Sequence, residues 1–328
     1  MFRPEKEFDG KRLVNHVIRI VEVTVREFCE TMCYIEPDCV SINLHKRAGG
    51  RGVYRCELNN VTHEGHEDEL TNNASYFYRA AESACARNSC KYKAACRSGY
   101  INVGCYCLCP AGFSDRTCEK GPATCKEVHD KKQIQESTLV TLLLDSKPLS
   151  VLCQVGDFGC GDGGWTPVMK IDGNKKTFHY SSSYWTDRNE YNSPGEETGF
   201  DENEKKLPTY WNTSFSRICL GMKIDQQLRF IVVNKQADSL YSLIANGKYR
   251  ETSLGRNTWK EMVGANASLQ KNCNKEGFNV VCQATDSPKA RIGIVSNQQN
   301  DCNTCNSRIG FGTGGKPDDS NTCGNEAN

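Results

Sequence analysis

Three groups of residues in this chain have the types and spacing to do chemistry. The largest is cysteine, at 20 of 328 positions, which can form cystines or hold a metal as thiolates. Cys105, Cys107 and Cys109 lie closest together, but C-x-C-x-C lacks the two- to four-residue gaps that let adjacent thiolates share one zinc ion. Disulfide chemistry is therefore expected. The second group is the run His63-Glu64-Gly65-His66-Glu67-Asp68-Glu69, a metal cluster by composition. Its simpler reading, and the expected one, is a solvated loop between two strands. The third is a set of hard oxygen donors near the end of the chain: Asn297, Asn300, Asp301, Asn303, Asn306, Asp318, Asp319 and Glu326. Calcium takes six to eight such oxygens. Asn300, Asp301, Asp318, Asp319 and Glu326 are the candidate ligands, against a plain Asn-rich loop as the alternative. No G-x-S-x-G, H-E-x-x-H or P-loop pattern occurs, so the chain is expected not to be an enzyme.

Composition narrows the setting. A formal net charge of +1 disfavours a nucleic-acid binder held by a basic surface, and equally a polyacidic calcium sponge. The cysteine content points to an oxidising compartment. No apolar stretch is long enough to cross a bilayer, since Leu142-Leu143-Leu144 runs straight into Asp145. The opening MFRPEKEFDG has no apolar core of a signal peptide, so a secreted reading takes the sequence as a mature form, a fragment or a mispredicted start.

The elements that must position these residues follow from cysteine density. Four cysteines (29, 33, 39, 56) precede seven within 34 residues (85, 90, 96, 105, 107, 109, 118), and nine follow sparsely from Cys125 to Cys323. Such shifts mark boundaries near residue 81, in Ala80-Ala81-Glu82-Ser83-Ala84, and near Gly121-Pro122, giving domains 1–81, 82–120 and 121–328. In the first, an alternation of Leu13, Val14, Val17, Ile18 and Ile20 leads to a helix that Thr24 and Glu27 would start as a capping box. Cys29 and Cys33 share one face of that helix, and Pro37 ends it. Strands are expected at Val40–Leu44, Val53–Leu58 and Ser75–Arg79, giving a helix stapled to a small antiparallel sheet. The middle segment is too short to offset chain entropy by apolar burial, so cross-links must substitute. In the third, Gly163-Gly164-Trp165-Thr166 allows a sharp turn beside a ring that seeks burial.

These patterns resemble known families. The first segment resembles the PAN/apple module, which implies the bridges Cys29–Cys56 and Cys33–Cys39. The second, with Cys107-Leu108-Cys109-Pro110-Ala111-Gly112-Phe113 running to Cys118, looks like an EGF-like domain. That implies Cys85–Cys96, Cys90–Cys107 and Cys109–Cys118, with Cys105 as a seventh cysteine outside the pattern. With Glu82 as the one carboxylate ahead of Cys85, no calcium is expected there. The third resembles fibrinogen-related domains of the intelectin-like branch, from Cys125-Lys126-Glu127-Val128 through Asn274–Asn279 to Arg308–Gly312. That resemblance implies Cys125–Cys153, and structural calcium in the region of Asp301 and Asp318. It also implies a C-terminus truncated at Asn328, just after Cys323-Gly324-Asn325-Glu326-Ala327.

The implied fold class is α+β, disulfide-rich and multidomain: a PAN-like helix on a sheet, a small EGF-like hairpin module and a fibrinogen-related domain. The odd counts of seven and nine suggest one bridge across residue 121, for which Cys105 and Cys160 are the expected pair. The module order, with the stretches Lys223–Gly247 and Ala290–Gly315, resembles secreted cnidarian proteins of the stony-coral skeletal organic matrix. This implies a secreted, non-catalytic extracellular matrix binding or adhesion glycoprotein. Its partners would be extracellular glycans or matrix proteins, without nucleic acid, and disulfide-linked oligomers would be accessible to it. A calcium-dependent soluble lectin of innate immunity is the alternative, and an EGF-type signalling ligand a third reading. The sequons at Asn60, Asn73, Asn212 and Asn266 become glycan acceptors if the chain is secreted.

Overall fold

A computed structural model describes residues 2–47, 52–64, 66–81, 90–92, 94–98, 105–115, 117–193 and 199–327, without the side chains of 2–6, 96–98 and 105–106. The fold is mixed α and β, mostly antiparallel sheet with few helices, and divides into two compact units, Met1–Lys120 and Gly121–Asn328. The expected boundary at 81/82 borders residues 82–89, which lie outside the described residues.

In the first unit, strands Phe2–Leu13 (β1), Val17–Val23 (β2), Ser41–His45 (β3), Tyr54–Asn59 (β4) and Leu70–Ala81 (β5) form an antiparallel sheet in the order β1-β5-β3-β4-β2. The charged β1 carries no apolar alternation, and sequence reasoning did not anticipate it. It lies at the sheet edge, where Pro4 costs no ladder bond, and its pairing with β5 slips at Asp9/Lys11, where Gly10 takes φ 70°.

The helix Glu27–Ile35 (α1) turns Cys29 and Cys33 inward, both buried. The structure joins Cys29 to Cys56 of β4 and Cys33 to Cys39, with Cα–Cα distances of 5.7 and 5.1 Å. The Thr24–Glu27 capping box does not form. The helix starts at Glu27, Arg26 stands at the N-cap already in right-handed helical geometry and without a side-chain bond, and the Phe28 and Cys29 amides donate to the Val25 and Arg26 carbonyls.

Farther on, Ala95–Ser98 (β6) pairs with Cys105–Leu108 (β7). Cys90 bonds to Cys107 and Cys109 to Cys118, around the buried Phe113. The Cys85–Cys96 pair and the Cys105 side chain lie outside the described residues, as does Glu82.

The second unit opens with a helix, Cys125–Asp130 (α2), whose N-cap Thr124 accepts from the Glu127 amide. It packs on Thr138–Leu144 (β8), Lys147–Val155 (β9) and Gly164–Trp165 (β10), with Cys125 bonded to Cys153 in β9. A Cβ on Gly164 would stand 2.6 Å from the Cys125 carbonyl oxygen and 2.7 Å from His129 Cβ, so the glycine is required by the close approach of α2. Met169–Lys170 (β11) pairs with Lys205–Lys206 (β12), and Thr209–Asn212 (α3) follows.

The main core lies between the hairpin Phe215–Ile224 (β13) and Gln227–Ala237 (β14), the helices Leu240–Ile244 (α4) and Arg256–Val263 (α5), and a second sheet. That sheet runs in sequence order through Arg250–Glu251 (β15), Asn272–Val281 (β16), Lys289–Asn297 (β17), Ser307–Gly314 (β18) and Cys323–Ala327 (β19). Trp185, Tyr210, Trp259, Phe178, Phe278 and Ile309 fill the space between them.

The expected Cys105–Cys160 bridge is corrected. Cys160 bonds to Cys219 in β13, within its own unit. The physical reason is the loop before β10. Asp157 accepts from the Gly159 and Gly161 amides at 2.9 and 3.0 Å, and Phe158 packs edge-on against Phe230 of β14 at 5.0 Å. This pins Cys160 on the hairpin beside a cysteine 59 residues away.

Candidate functional site

The oxygen-rich residues near the end of the chain fall into two connections of the second sheet. Asn300 and Asp301 lie between β17 and β18, Asp318 and Asp319 between β18 and β19, and Glu326 in β19. Asp301 accepts from the Asn303 amide at 2.8 Å through its side chain and from Asn297 Nδ2 at 3.0 Å through its carbonyl. Asn306 Oδ1 is buried without a hydrogen-bond partner.

In the second connection the inward oxygens already have a cation. The fully buried Arg308 donates to the Gly315 and Lys316 carbonyls at 2.8 and 3.0 Å, to the Asp318 carbonyl, and to Asn321 Oδ1 at 2.8 Å. Asp318 accepts from the Ser320 amide and hydroxyl, both at 2.8 Å. Asp319 accepts from the Gly315 amide and meets His179 Nε2 at 3.0 Å. Burial works against the charged form of Asp319, yet these two bonds hold its carboxyl below the usual range. Glu326 accepts from Asn321 Nδ2 at 2.9 Å. Among the described residues, these carboxylates do not gather within 4.8 Å of one another as a group of three. The loop thus closes around a guanidinium, and calcium would have to compete with it.

A tighter cluster forms in the first unit. The run at 63–69 ends in a short 3₁₀ turn, Glu67–Glu69, that leads into β5. There Glu69 Oε2 lies 2.6 Å from His16 Nε2 and 2.8 Å from His66 Nδ1, while Asn15 Nδ2 donates to Oε1 at 3.2 Å. The His16 and His66 rings meet edge to face at 4.5 Å. Hydrogen bonds from His16, then His66 and Asn15, hold the Glu69 carboxyl down to about 2.

His16 and Asn15 come from the β1–β2 turn, with Asn15 at φ 69°. That turn is tied on both sides, Val14 donating to the Glu69 carbonyl at 3.1 Å and Asn60 to the His16 carbonyl at 3.2 Å. Sequence reasoning missed His16, because its partners are about fifty residues away and no local spacing signals them. His63 turns to other contacts: its amide donates to the Tyr78 hydroxyl at 2.7 Å and its ring packs on Phe8 at 4.7 Å. The other close set of metal-ligand types, Cys273, Cys282 and Cys305, is committed to the disulfides Cys273–Cys302 and Cys282–Cys305.

A cleft of about 410 Å³ opens in the second unit beside Trp211, lined also by Leu144, Asp145, Lys147, Glu190 and Asn212. Of the four sequons, Asn60 and Asn266 are exposed. Asn73 and Asn212 are half-buried with their amides engaged, Asn73 accepting from Ser75 N at 3.1 Å and Asn212 donating to Asp145 at 2.9 Å. No protein-family model, curated protein or solved structure matches the chain.

Proposed function

We propose that this chain is a secreted, non-catalytic binding protein of the extracellular matrix, built from PAN/apple-like, EGF-like and fibrinogen-related modules. The observation that carries the reading is the distribution of cystines. Eight bridges join described residues, and they tie helix to strand, strand to loop and loop to loop in both units. Several of their sulfurs are core atoms, since Cys29, Cys56, Cys118, Cys125 and Cys153 are fully buried. A chain that needs so many buried cystines matures where thiols are oxidised, and such bridges persist outside the cell. The helix on an antiparallel sheet in the first unit supports the PAN-like reading. The cleft beside Trp211 supports a recognition role, because a ring flanked by Asp145, Lys147 and Glu190 combines stacking with polar selectivity.

The test is secretion from a eukaryotic host followed by glycan- and matrix-array binding, with and without a chelator. Chelator-independent binding to matrix components, weakened by Trp211→Ala, is the expected result. Sugar binding abolished by chelator would establish the calcium-dependent lectin instead. A protein that folds only with its cysteines reduced would overturn the extracellular reading.

A further inference from the structure

We propose that His16, His66 and Glu69 form a binding site for a divalent transition cation of the zinc type. Two imidazole nitrogens, His16 Nε2 and His66 Nδ1, are directed at one carboxylate oxygen, Glu69 Oε2, at 2.6 and 2.8 Å. The three ligand atoms lie within 4.8 Å of one another. Two nitrogens and one oxygen are a donor set that suits zinc, copper(II) or nickel, and not the all-oxygen shells of calcium or magnesium.

Zinc bonds of about 2.0–2.2 Å place tetrahedral ligand atoms about 3.3 Å apart, so the His16 and His66 nitrogens need withdraw from the carboxylate by roughly 0.7 and 0.5 Å. The side chains have that freedom, being 20%, 36% and 26% exposed for His16, His66 and Glu69. The cation would take the place of the N–H protons that now bridge each ring to Oε2, with those protons released or moved to the opposite ring nitrogens. The remaining position faces water, so the triad resembles an open site more than a closed structural one.

The backbone brings the ligands together before any ion arrives. Leu13 pairs with Leu70 at the end of the β1–β5 ladder, and the Val14 amide bonds to the Glu69 carbonyl at 3.1 Å. His16 and Glu69, 53 residues apart, are therefore held by main-chain hydrogen bonds as well as by their own contact. Asn15 Nδ2 on Glu69 Oε1 is the outer bond that orients a ligating carboxylate and leaves Oε2 for the ion.

The experiment is equilibrium dialysis of the full oxidised chain against zinc chloride. One zinc per chain is expected at this site, with affinity at least tenfold weaker in His16→Gln, His66→Gln and Glu69→Gln and unchanged in His129→Gln of the second unit. Zinc binding insensitive to all three substitutions, or no binding by the wild-type chain, would overturn the proposal. A second measurement needs no variant, which matters because Glu69→Gln also removes a link between turns. Copper(II) added to the wild-type chain should give an electron paramagnetic resonance spectrum with coupling to two imidazole nitrogens. Coordination by oxygen alone, or by backbone amide nitrogens, refutes it.

Discussion

Glu57 in β4 is a fully buried carboxylate on which three other strands converge. Arg12 from β1 grips it in bidentate fashion, Nε to Oε2 at 2.9 Å and Nη2 to Oε1 at 3.0 Å. Tyr76 from β5 donates to Oε1 at 3.1 Å, and Asn43 from β3 to Oε2 at 3.2 Å. Removing one partner of a buried pair costs about 3–5 kcal/mol, because the other is left uncompensated. Here the lower end applies, since the Arg12 side chain is 29% exposed and can turn to water. Asn43 keeps the Leu13 carbonyl as an acceptor at 2.8 Å, which leaves the Tyr76 hydroxyl as the buried donor most exposed to the loss.

Glu57→Ala should therefore cost about 3 kcal/mol, and Glu57→Gln, which keeps shape and one acceptor, about half of that. At 1.4 kcal/mol per factor of ten, the slowest-exchanging amides of β3 and β4 should exchange roughly a hundredfold faster in the alanine variant and about tenfold faster in glutamine. Hydrogen exchange read by mass spectrometry suits this measurement, because all four tryptophans belong to the second unit and report nothing from this one. In an Arg12→Met background the cost of Glu57→Gln should shrink to roughly threefold, since the charge it removes has lost its bidentate partner and keeps only the half-exposed Arg55, whose Nε lies 3.3 Å from Oε1. Equal effects of Glu57→Gln in both backgrounds would refute the assignment of Arg12 as the principal partner. Exchange unchanged in Glu57→Ala would refute the whole network.

Three further outcomes are expected. Disulfide mapping should yield a peptide joining Cys160 to Cys219, and a Cys105–Cys160 peptide would contradict the placement of the loop before β10. Burial raises the Tyr78 phenol to about 12. The folded protein then holds its proton longer than the unfolded chain, so this contribution of about 2–3 kcal/mol is complete below pH ~10 and lost as pH rises from ~10 to ~12. Tyrosinate absorbance and urea midpoints measured together should show it, and ionisation of Tyr78 near its ordinary value would refute it. Cys323 is the free cysteine among the described residues, half-buried as a residue, and burial of its sulfur pushes the thiol up to about 12. Maleimide should label it at pH 8 only after unfolding, whereas fast labelling of the native chain would show an accessible thiolate.

The parts legible in the sequence were those with local physics. Cys29 and Cys33 fall on one helical face, whereas the pairing of Cys109 with Cys118 came from a family resemblance, and the glycines before Trp165, read as a sharp turn, serve the close approach of α2 to Gly164. The unit boundary after Lys120 follows the change in cysteine density. What was not legible depends on distant partners. β1 is charged along most of its length and becomes a strand because β5 offers a ladder. Cys219 and His16 acquire their roles from residues about fifty to sixty positions away. The oxygen-rich loop after β18 read as a cation site, but its composition hides that Arg308 from the preceding strand fills it.

The bridges Cys273–Cys302 and Cys282–Cys305 cross in sequence, each starting inside or ending beyond the other, with sulfurs of Cys273 and Cys305 3.8 Å apart. Under tension this crossing sets unequal stops. With Cα–Cα spans of 5.1 and 6.0 Å, the reach from residue 273 to residue 305 is limited to about 15 Å when both bridges hold, taking ~3.4 Å per extended residue. Opening Cys282–Cys305 alone leaves that reach unchanged. Opening Cys273–Cys302 alone lengthens it to about 37 Å, and opening both releases about 109 Å. A pulled chain would therefore register the second bridge only after the first has gone, so one of the two cystines is a silent reserve that bears load when its neighbour is reduced.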